Sequence, residues 1–458
     1  MLFDDISFGP YDKAEHKAHR AFELYEDGKI AQAILELDAA LEINPSNSTW
    51  HFNKALALDA AGLFNDAITE YETALQSNPS DLEILNSLAV DYTRISQYDL
   101  AVSTFEHIQQ LDSTFEPCYC NRIITYTEMS LHDLAEQMFY LAQQLDPDCA
   151  LCYYNIGNSL FARSRYKKAI SCWLKTAELD PAHPEINYRI AQAYWACGDK
   201  DNARQYFLAE LRLNPGSIDT ILDFGLFLLE IGDIESAKEK FNRILELVPD
   251  SAVAFFYLGE IAFNSGNYVL AAQLFDQSLL KDETLVGPRY RLAQYAIMKN
   301  RLPDAKKLLV HELNLAPEDP DVLTSMGSMF LIIDEMDYAV NCLLKAVDAD
   351  HTNAQAYYYL ALANILNGRL ESAAEFFGHV LDIKPEHIGA LRDSALVSLA
   401  MGRLDSAAEK IKKAIDLAAD DAQLKAVDRR IRLIRLIERA ADSFGRFIPK
   451  PRSKKFLT

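Results

Sequence analysis

Glycine and proline are sparse, 17 and 16 in 458 residues. A loop-rich or disordered chain carries more of both, so their scarcity favours long helices joined by short turns. No stretch approaches the ~18 uninterrupted apolar residues of a membrane span. The opening MLFDDISFGPYDK has acids where a secretory leader has bases, and no apolar run follows, so no signal peptide is expected. Basic residues are in deficit, 45 Lys and Arg against 67 Asp and Glu, for a net charge of -22. That argues against a general nucleic-acid binder, leaves a local basic site open, and favours basic partners. Cysteines are few and odd in number, seven. Without a leader they fit reduced thiols and a cytoplasmic location. Also lacking are a Walker loop, a dinucleotide fingerprint, a nucleophile elbow and a His-Glu-x-x-His motif; His311-Glu312 has no second histidine after it. No catalytic residue, cofactor or resident metal is therefore expected, and the chain reads as a non-enzyme.

Against those absences stands a repeat. Pro45, Pro79, Pro147, Pro181, Pro215, Pro249, Pro317 and Pro385 are separated by 34 residues or multiples of it, and the period never slips between Ala14 and Asp421. Twelve repeats fit. Their twentieth place is alanine in all twelve, from Ala33, Ala67 and Ala101 to Ala407. The eighth place is Ala or Gly in every repeat except the fourth, which has Ile123; the twenty-fourth is large, as in Tyr71, Phe105, Phe139, Trp173 and Phe275. Two antiparallel helices can approach closely only where a small residue sits at the crossing, and the aromatic is expected to fill the space between one hairpin and the next. Gly28, Gly62, Gly198, Gly232, Gly266, Gly368 and Gly402 fall at the turn inside the hairpin, where a left-handed backbone suits glycine.

These columns resemble the tetratricopeptide repeat family over about nine tenths of the chain. The resemblance implies an all-α fold: a right-handed α-solenoid, or superhelix, of twelve helix-turn-helix hairpins closed by a C-terminal capping helix. The expected segments are an N-terminal stretch 1–13, repeats 14–421 as one continuous domain, a basic capping helix 422–443 and a basic tail 444–458. Family geometry also implies that first helices line a concave groove. On that basis the peptide-binding candidates are Tyr154, Asn155, Asn158, Tyr188, Arg189, Gln192, Trp195, Tyr290, Arg291, Gln294 and Tyr358. Amides satisfy an extended backbone, and Tyr, Trp and Arg are frequent anchors. The competing reading is a solvated helix face. Leu222, Leu226, Leu229, Phe256 and Phe263, with Asp223, Glu230 and Glu260 among them, would suit apolar anchors beside Lys or Arg. The carboxylate clamp of heat-shock co-chaperones is not matched, because Tyr154 and Glu185 stand where lysines are needed. Asn53, Asn121 and Asn155 match the asparagine ladder of the O-linked N-acetylglucosamine transferases only in part, and no transferase domain follows.

Two features remain. Cys118, Cys120, Cys149 and Cys152 could make a tetrahedral zinc site, but Cys118 and Cys152 share a repeat place where small semi-apolar residues are ordinary, and buried thiols are the favoured reading. Residues 422–458 carry eleven Lys or Arg against three acids. In the final helix, Val427, Ile431, Ile434 and Ala441 are expected to pack on repeat twelve, with Leu433, Leu436 and Ile437 widening the apolar face. The chain reads as a protein-protein interaction scaffold or adaptor that binds peptide segments of partner proteins, with self-association open. The alternative is a chaperone-like or regulatory subunit whose basic tail meets nucleic acid or an anionic membrane.

Overall fold

The computed structural model describes residues 10–445, and side chains from 13 to 437. Most of the expected N-terminal segment and the tail from 446 onward lie outside the described residues. Among the described residues there are 25 helices and no strand. The fold is an all-α solenoid of helical hairpins. The first helix, Pro10–Glu26, starts four residues before the repeat does. The chain falls into two compact units, Met1–Asp233 and Ile234–Thr458. The first holds six hairpins and the first helix of repeat seven, Ile218–Glu230. The second opens with Ile234–Leu247 and continues through repeat twelve to the terminal helix Ala422–Gly445.

Local chemistry accounts for where the helices begin. In all but two junctions the last place of a repeat is the N-cap of the next first helix. There Asn47, Asp81, Cys149, Ser217, Ser251, Asp319, Asn353 and His387 each accept a backbone N–H of the first turn. Repeats six and nine follow His183 and Leu285, which do not cap, and their first helices are the short ones: Ile186–Ala196 and Pro288–Met298, 11 residues each. Their entry turns put Glu185 and Gly287 at positive φ. Inside every hairpin the fifteenth place is left-handed. Glycine holds it in seven repeats, and Ser96, Ser130, Ser164, Asn300 and Asp334 hold it in the rest. The N–H after that residue reaches back to close the helix, as Leu63 does to the Leu58 carbonyl at 2.9 Å.

Packing then follows the columns. The twentieth-place alanine is fully buried in all twelve repeats. The large twenty-fourth residue lies over the small eighth residue of its own hairpin, and it also fills the space toward the next one as expected: Phe207 stacks on Phe224 with ring centroids 5.3 Å apart, and Phe241 on Tyr257 at 5.2 Å. A Cβ added at Gly259 would stand 2.6 Å from the Phe275 ring, and one at Gly327 2.6 Å from Leu343. Gly157 meets Trp173 in the same way. Repeat four shows the rule by its exception. Ile123 is wholly buried at the eighth place, so its own side chain fills the gap. Phe139 is correspondingly only partly buried, edge-on to Tyr153 with ring centroids 5.4 Å apart.

The terminal helix caps repeat twelve. Leu424 and Ile431 are buried with Leu391, Ala395 and Ile411, and Val427 packs beside them. The expected widening of that face does not occur: Leu433, Leu436 and Ile437 are 60%, 68% and 58% exposed, because one helix side suffices to cover one hairpin. Ala441 lies outside the described side chains.

Gly259→Ala is expected to cost about 1–3 kcal/mol through overpacking against Phe275, measured by urea unfolding. Gly216→Ala, where an added Cβ meets nothing within 4 Å, should stay within about 0.5 kcal/mol of the parent. Equal midpoints for the two variants would contradict the crossing geometry.

Candidate functional site

The first helices carry a polar system with a fixed offset of one repeat plus one residue. Tyr188 Oη donates to Asp223 Oδ2 at 2.8 Å, and Tyr358 Oη to Asp393 Oδ2 at 2.6 Å. Both join a fifth place to the next repeat's sixth. Asn121 donates to Asn86 at 3.2 Å and Asn155 to the Cys120 carbonyl at 3.1 Å across the same offset. Trp195 Nε1 donates to Glu230 Oε2 at 2.6 Å, from twelfth place to thirteenth. An offset of 31 adds further rungs. Gln192 donates to Asp223 at 2.8 Å, and Arg291 makes a two-pronged pair with Glu260, both contacts 2.6 Å.

The candidate groove residues therefore differ in what they can offer. Asn155 and Tyr290 are buried, 2% and 7% exposed, and present no surface to a ligand. Tyr188, Gln192, Trp195, Arg291 and Tyr358 are part-exposed but bonded to the next or preceding repeat. Gln294 accepts from Arg291 at 3.2 Å, and the Tyr154 ring lies 4.3 Å from that of His183. Arg189 is only weakly engaged: its Nη1 stands 3.5 Å from Gln192, its guanidinium lies 5.9 Å from the Tyr188 ring centre, and its Nε has no partner. No hydrogen bond involves the Asn158 side chain among the described residues. In the first unit, Tyr188, Arg189, Gln192 and Trp195 gather around Asp223 and Glu230. In the second, Tyr290, Arg291 and Gln294 gather at Glu260, while Tyr358 pairs separately with Asp393. Asp393 escaped the sequence reading; the 35-residue spacing from Tyr358, shared by Tyr188 and Asp223, is the signal that finds it.

These contacts set the charge states. Burial and the Asp223 carboxylate push the Tyr188 phenol well above its ordinary value. Burial and Asp393 raise Tyr358 to about 12. Burial opposes the Arg291 charge, but Glu260 outweighs it and holds the guanidinium protonated. In the first unit an open cleft of about 430 Å³ is lined by Phe161, Gln192, Trp195, Ala196, Asp223 and Glu230. It has aromatic walls and two carboxylates, a combination suited to a basic side chain with an apolar stem.

The cysteines divide differently from the expected set of four. Cys118 turns away, its thiol 3.3 Å from the Phe105 carbonyl. The group that does converge is Glu116, Cys120, Cys149 and Cys152.

Comparison with known proteins gives the following. A sequence model of the tetratricopeptide repeat matches residues 20–81, 54–113, 154–218, 222–284 and 337–388, more than half of the chain. Protein O-mannosyl-transferase TMTC3 of Homo sapiens is 30% identical over 100 residues, 22% of this chain and 11% of that protein. The match thus spans about a tenth of that relative's length. Among solved structures, a chain of the APC/C hetero-tetramer Cut9-Hcn1 is similar at 13% identity, covering 93% of this chain and 97% of that one, with a TM-score of 0.46. Yeast Tom70 is similar at 14% identity, covering 93% and 96%, with a TM-score of 0.40. YrrB, a TPR protein with an unusual peptide-binding site, is similar at 18% identity, covering 41% and 97%, with a TM-score of 0.37.

Two outcomes follow from the polar system. Removing the Tyr188 hydroxyl with Tyr188→Phe should cost about 0.5–1.5 kcal/mol, and the cost should shrink in an Asp223→Ala background. Full additivity in that double-mutant cycle would show that the bond contributes nothing. Asp91 is 1% exposed, and burial raises its carboxyl to about 7, although Arg94 Nη1 lies 3.2 Å away. A raised acid is protonated in the folded chain. Stability is then fully present below the unfolded carboxyl value of about 4 and falls as pH rises through 7. Asp91→Asn should come closest to the parent near pH 4 and gain on it as pH rises to 7, exceeding it by about 1–3 kcal/mol at pH 8 in urea midpoints. A difference independent of pH would rule this out.

Proposed function

Because the chain belongs to the tetratricopeptide repeat family, whose fold serves protein-protein interaction in general, we propose that it is a non-enzymatic scaffold whose first helices bind extended peptide segments of a partner protein. The observation that carries the reading is the cleft between Phe161 and Trp195, with Asp223 and Glu230 beside it. An acidic, aromatic-walled cleft fits a segment in which Lys or Arg alternates with Leu or Phe. Arg189 and Asn158, free of strong internal bonds, are the residues proposed to meet the ligand's backbone. Tyr188, Gln192, Arg291 and Tyr358 are proposed to hold the wall in place, with any ligand contact made by their remaining exposed atoms. The mannosyl transfer in the human relative's name stays with that protein.

A second reading is favoured by one observation. Leu433, Leu436 and Ile437 stand exposed on the last helix among Arg429, Arg430, Arg432 and Arg435. An exposed apolar stripe beside arginines suits an anionic membrane surface.

The test is a fluorescence-anisotropy titration of the full chain with basic-apolar peptides at low and physiological salt. Binding is expected, weakened by salt and reduced at least about tenfold by Glu230→Gln or Trp195→Ala. Equal affinities for parent and variants, all folded by circular dichroism, would refute the cleft as the site. Flotation with anionic vesicles, lost in a Leu433→Ser, Leu436→Ser variant and accompanied by no peptide binding, would transfer the assignment to the second reading.

A further inference from the structure

Four acidic donors meet where repeat four joins repeat five. Glu116 opens the helix Glu116–Glu128, and Cys120 follows one turn later on the same face. Cys149 caps the helix Ala150–Ala162, and Cys152 lies in its first turn. The carboxylate oxygen and three sulfurs all lie within 4.8 Å of one another. In a zinc site, Zn–S bonds of about 2.3 Å place the ligand atoms of a tetrahedron about 3.8 Å apart. The ligand atoms bracket that spacing: all lie within 4.8 Å, and the Cys152 Sγ to Glu116 Oε1 pair, at 2.9 Å, would open to admit an ion. Cys120 and Cys152 are buried at 2% and 1% exposure, while Glu116 and Cys149 are partly open, so the cluster has an entry side.

We propose that Glu116, Cys120, Cys149 and Cys152 bind one zinc ion that staples repeat four to repeat five. Three arguments carry it. The donor set is three soft sulfurs and one oxygen, which suits zinc and disfavours calcium or magnesium. The surrounding groups already support anionic sulfur. The Cys152 N–H donates to Cys149 Sγ at 3.2 Å, at a helix N-terminus that favours negative charge. Asn155 Nδ2 donates to the Cys120 carbonyl at 3.1 Å and stands 3.5 Å from its Sγ, the outer-shell arrangement metal ligands commonly have. Finally, a disulfide would use only two of the three sulfurs and would leave the carboxylate without a purpose; a metal uses all four groups. Cys152 Sγ donates to Glu116 Oε1 at 2.9 Å. Zinc replaces the thiol protons, which leave to solvent, and affinity therefore falls with acidity. The location has its own logic. Repeat four lacks a capping residue at Phe115 and departs from the packing rule at Ile123 and Phe139, so a metal bridge reinforces the hairpin least served by the repeat pattern.

The experiment uses the full chain without a metal-binding tag, refolded with reductant and zinc and then freed of unbound metal. Mass spectrometry of the metal content should give close to one zinc per chain. Cys149→Ser and Cys152→Ser should fall to background, and Cys118→Ser should retain the metal. Cobalt should give an intense tetrahedral visible spectrum with a thiolate charge-transfer band, and Glu116→Gln should shift the visible bands. The cobalt measurement on the parent chain keeps the test decisive should a serine variant fail to fold. Zinc far below one equivalent, cobalt bands of octahedral oxygen coordination, or loss of metal in Cys118→Ser but not in Cys149→Ser would each overturn the proposal.

Discussion

Everything in this chain depends on how closely two antiparallel helices can approach. The eighth and twentieth places set that distance: alanine or glycine removes side chain from the crossing, and a large residue at the twenty-fourth place lies over the space. Gly259 with Phe275, Gly327 with Leu343 and Gly157 with Trp173 are one arrangement three times over. Protein interiors tolerate neither voids nor excess volume, so the two places constrain each other. Repeat four makes the dependence visible within a single molecule. Ile123 fills the space from below, and Phe139 turns partly outward. Because a hairpin so built has an apolar side it cannot cover alone, neighbours must stack, and Leu424 and Ile431 of the last helix complete the final interface.

Stacking fixes how first helices of consecutive repeats face one another, and with it the fate of the polar side chains between them. Once consecutive hairpins are held in one register, a fifth-place side chain meets the sixth place of the next repeat. Tyr188 with Asp223 and Tyr358 with Asp393 result. The same closeness that makes these bonds removes their atoms from the pool a ligand could use. Under the proposed function, recognition would fall to the side chains with atoms left over in the first unit, Arg189 and Asn158, and to the cleft at Trp195.

The twelve hairpins, the buried alanine column and the turn positions were legible in the sequence because each depends on one residue per repeat at a fixed place. The N-caps were equally legible in principle: the last place holds Asn, Asp or Ser in most repeats, and where it holds His183 or Leu285 the next helix is short. What a column cannot carry is a relation between columns. Asn155 looks like a groove amide when its place is read alone; read against Cys120, 35 residues earlier, it is a buried link. The widening of the terminal helix by Leu433, Leu436 and Ile437 failed for a related reason. Helical spacing identifies an apolar stripe but not how much of it one neighbour can cover.

The cysteines carry that distinction furthest. Repeat equivalence pairs Cys118 with Cys152, and by that logic both are small core residues. Helical phase instead pairs Cys120 with Glu116, one turn apart, and directs Cys118 toward the Phe105 carbonyl. A chain folded from near-identical units has two independent geometries, the 34-residue period and the 3.6-residue turn, and side chains converge where the two bring different places together. Structural positions obey the first and are readable as columns. Among the described residues the proposed donors Glu116, Cys120, Cys149 and Cys152 converge at a single repeat junction, so no column announces them; the group becomes visible when the first turn of one helix is set against the cap of the next.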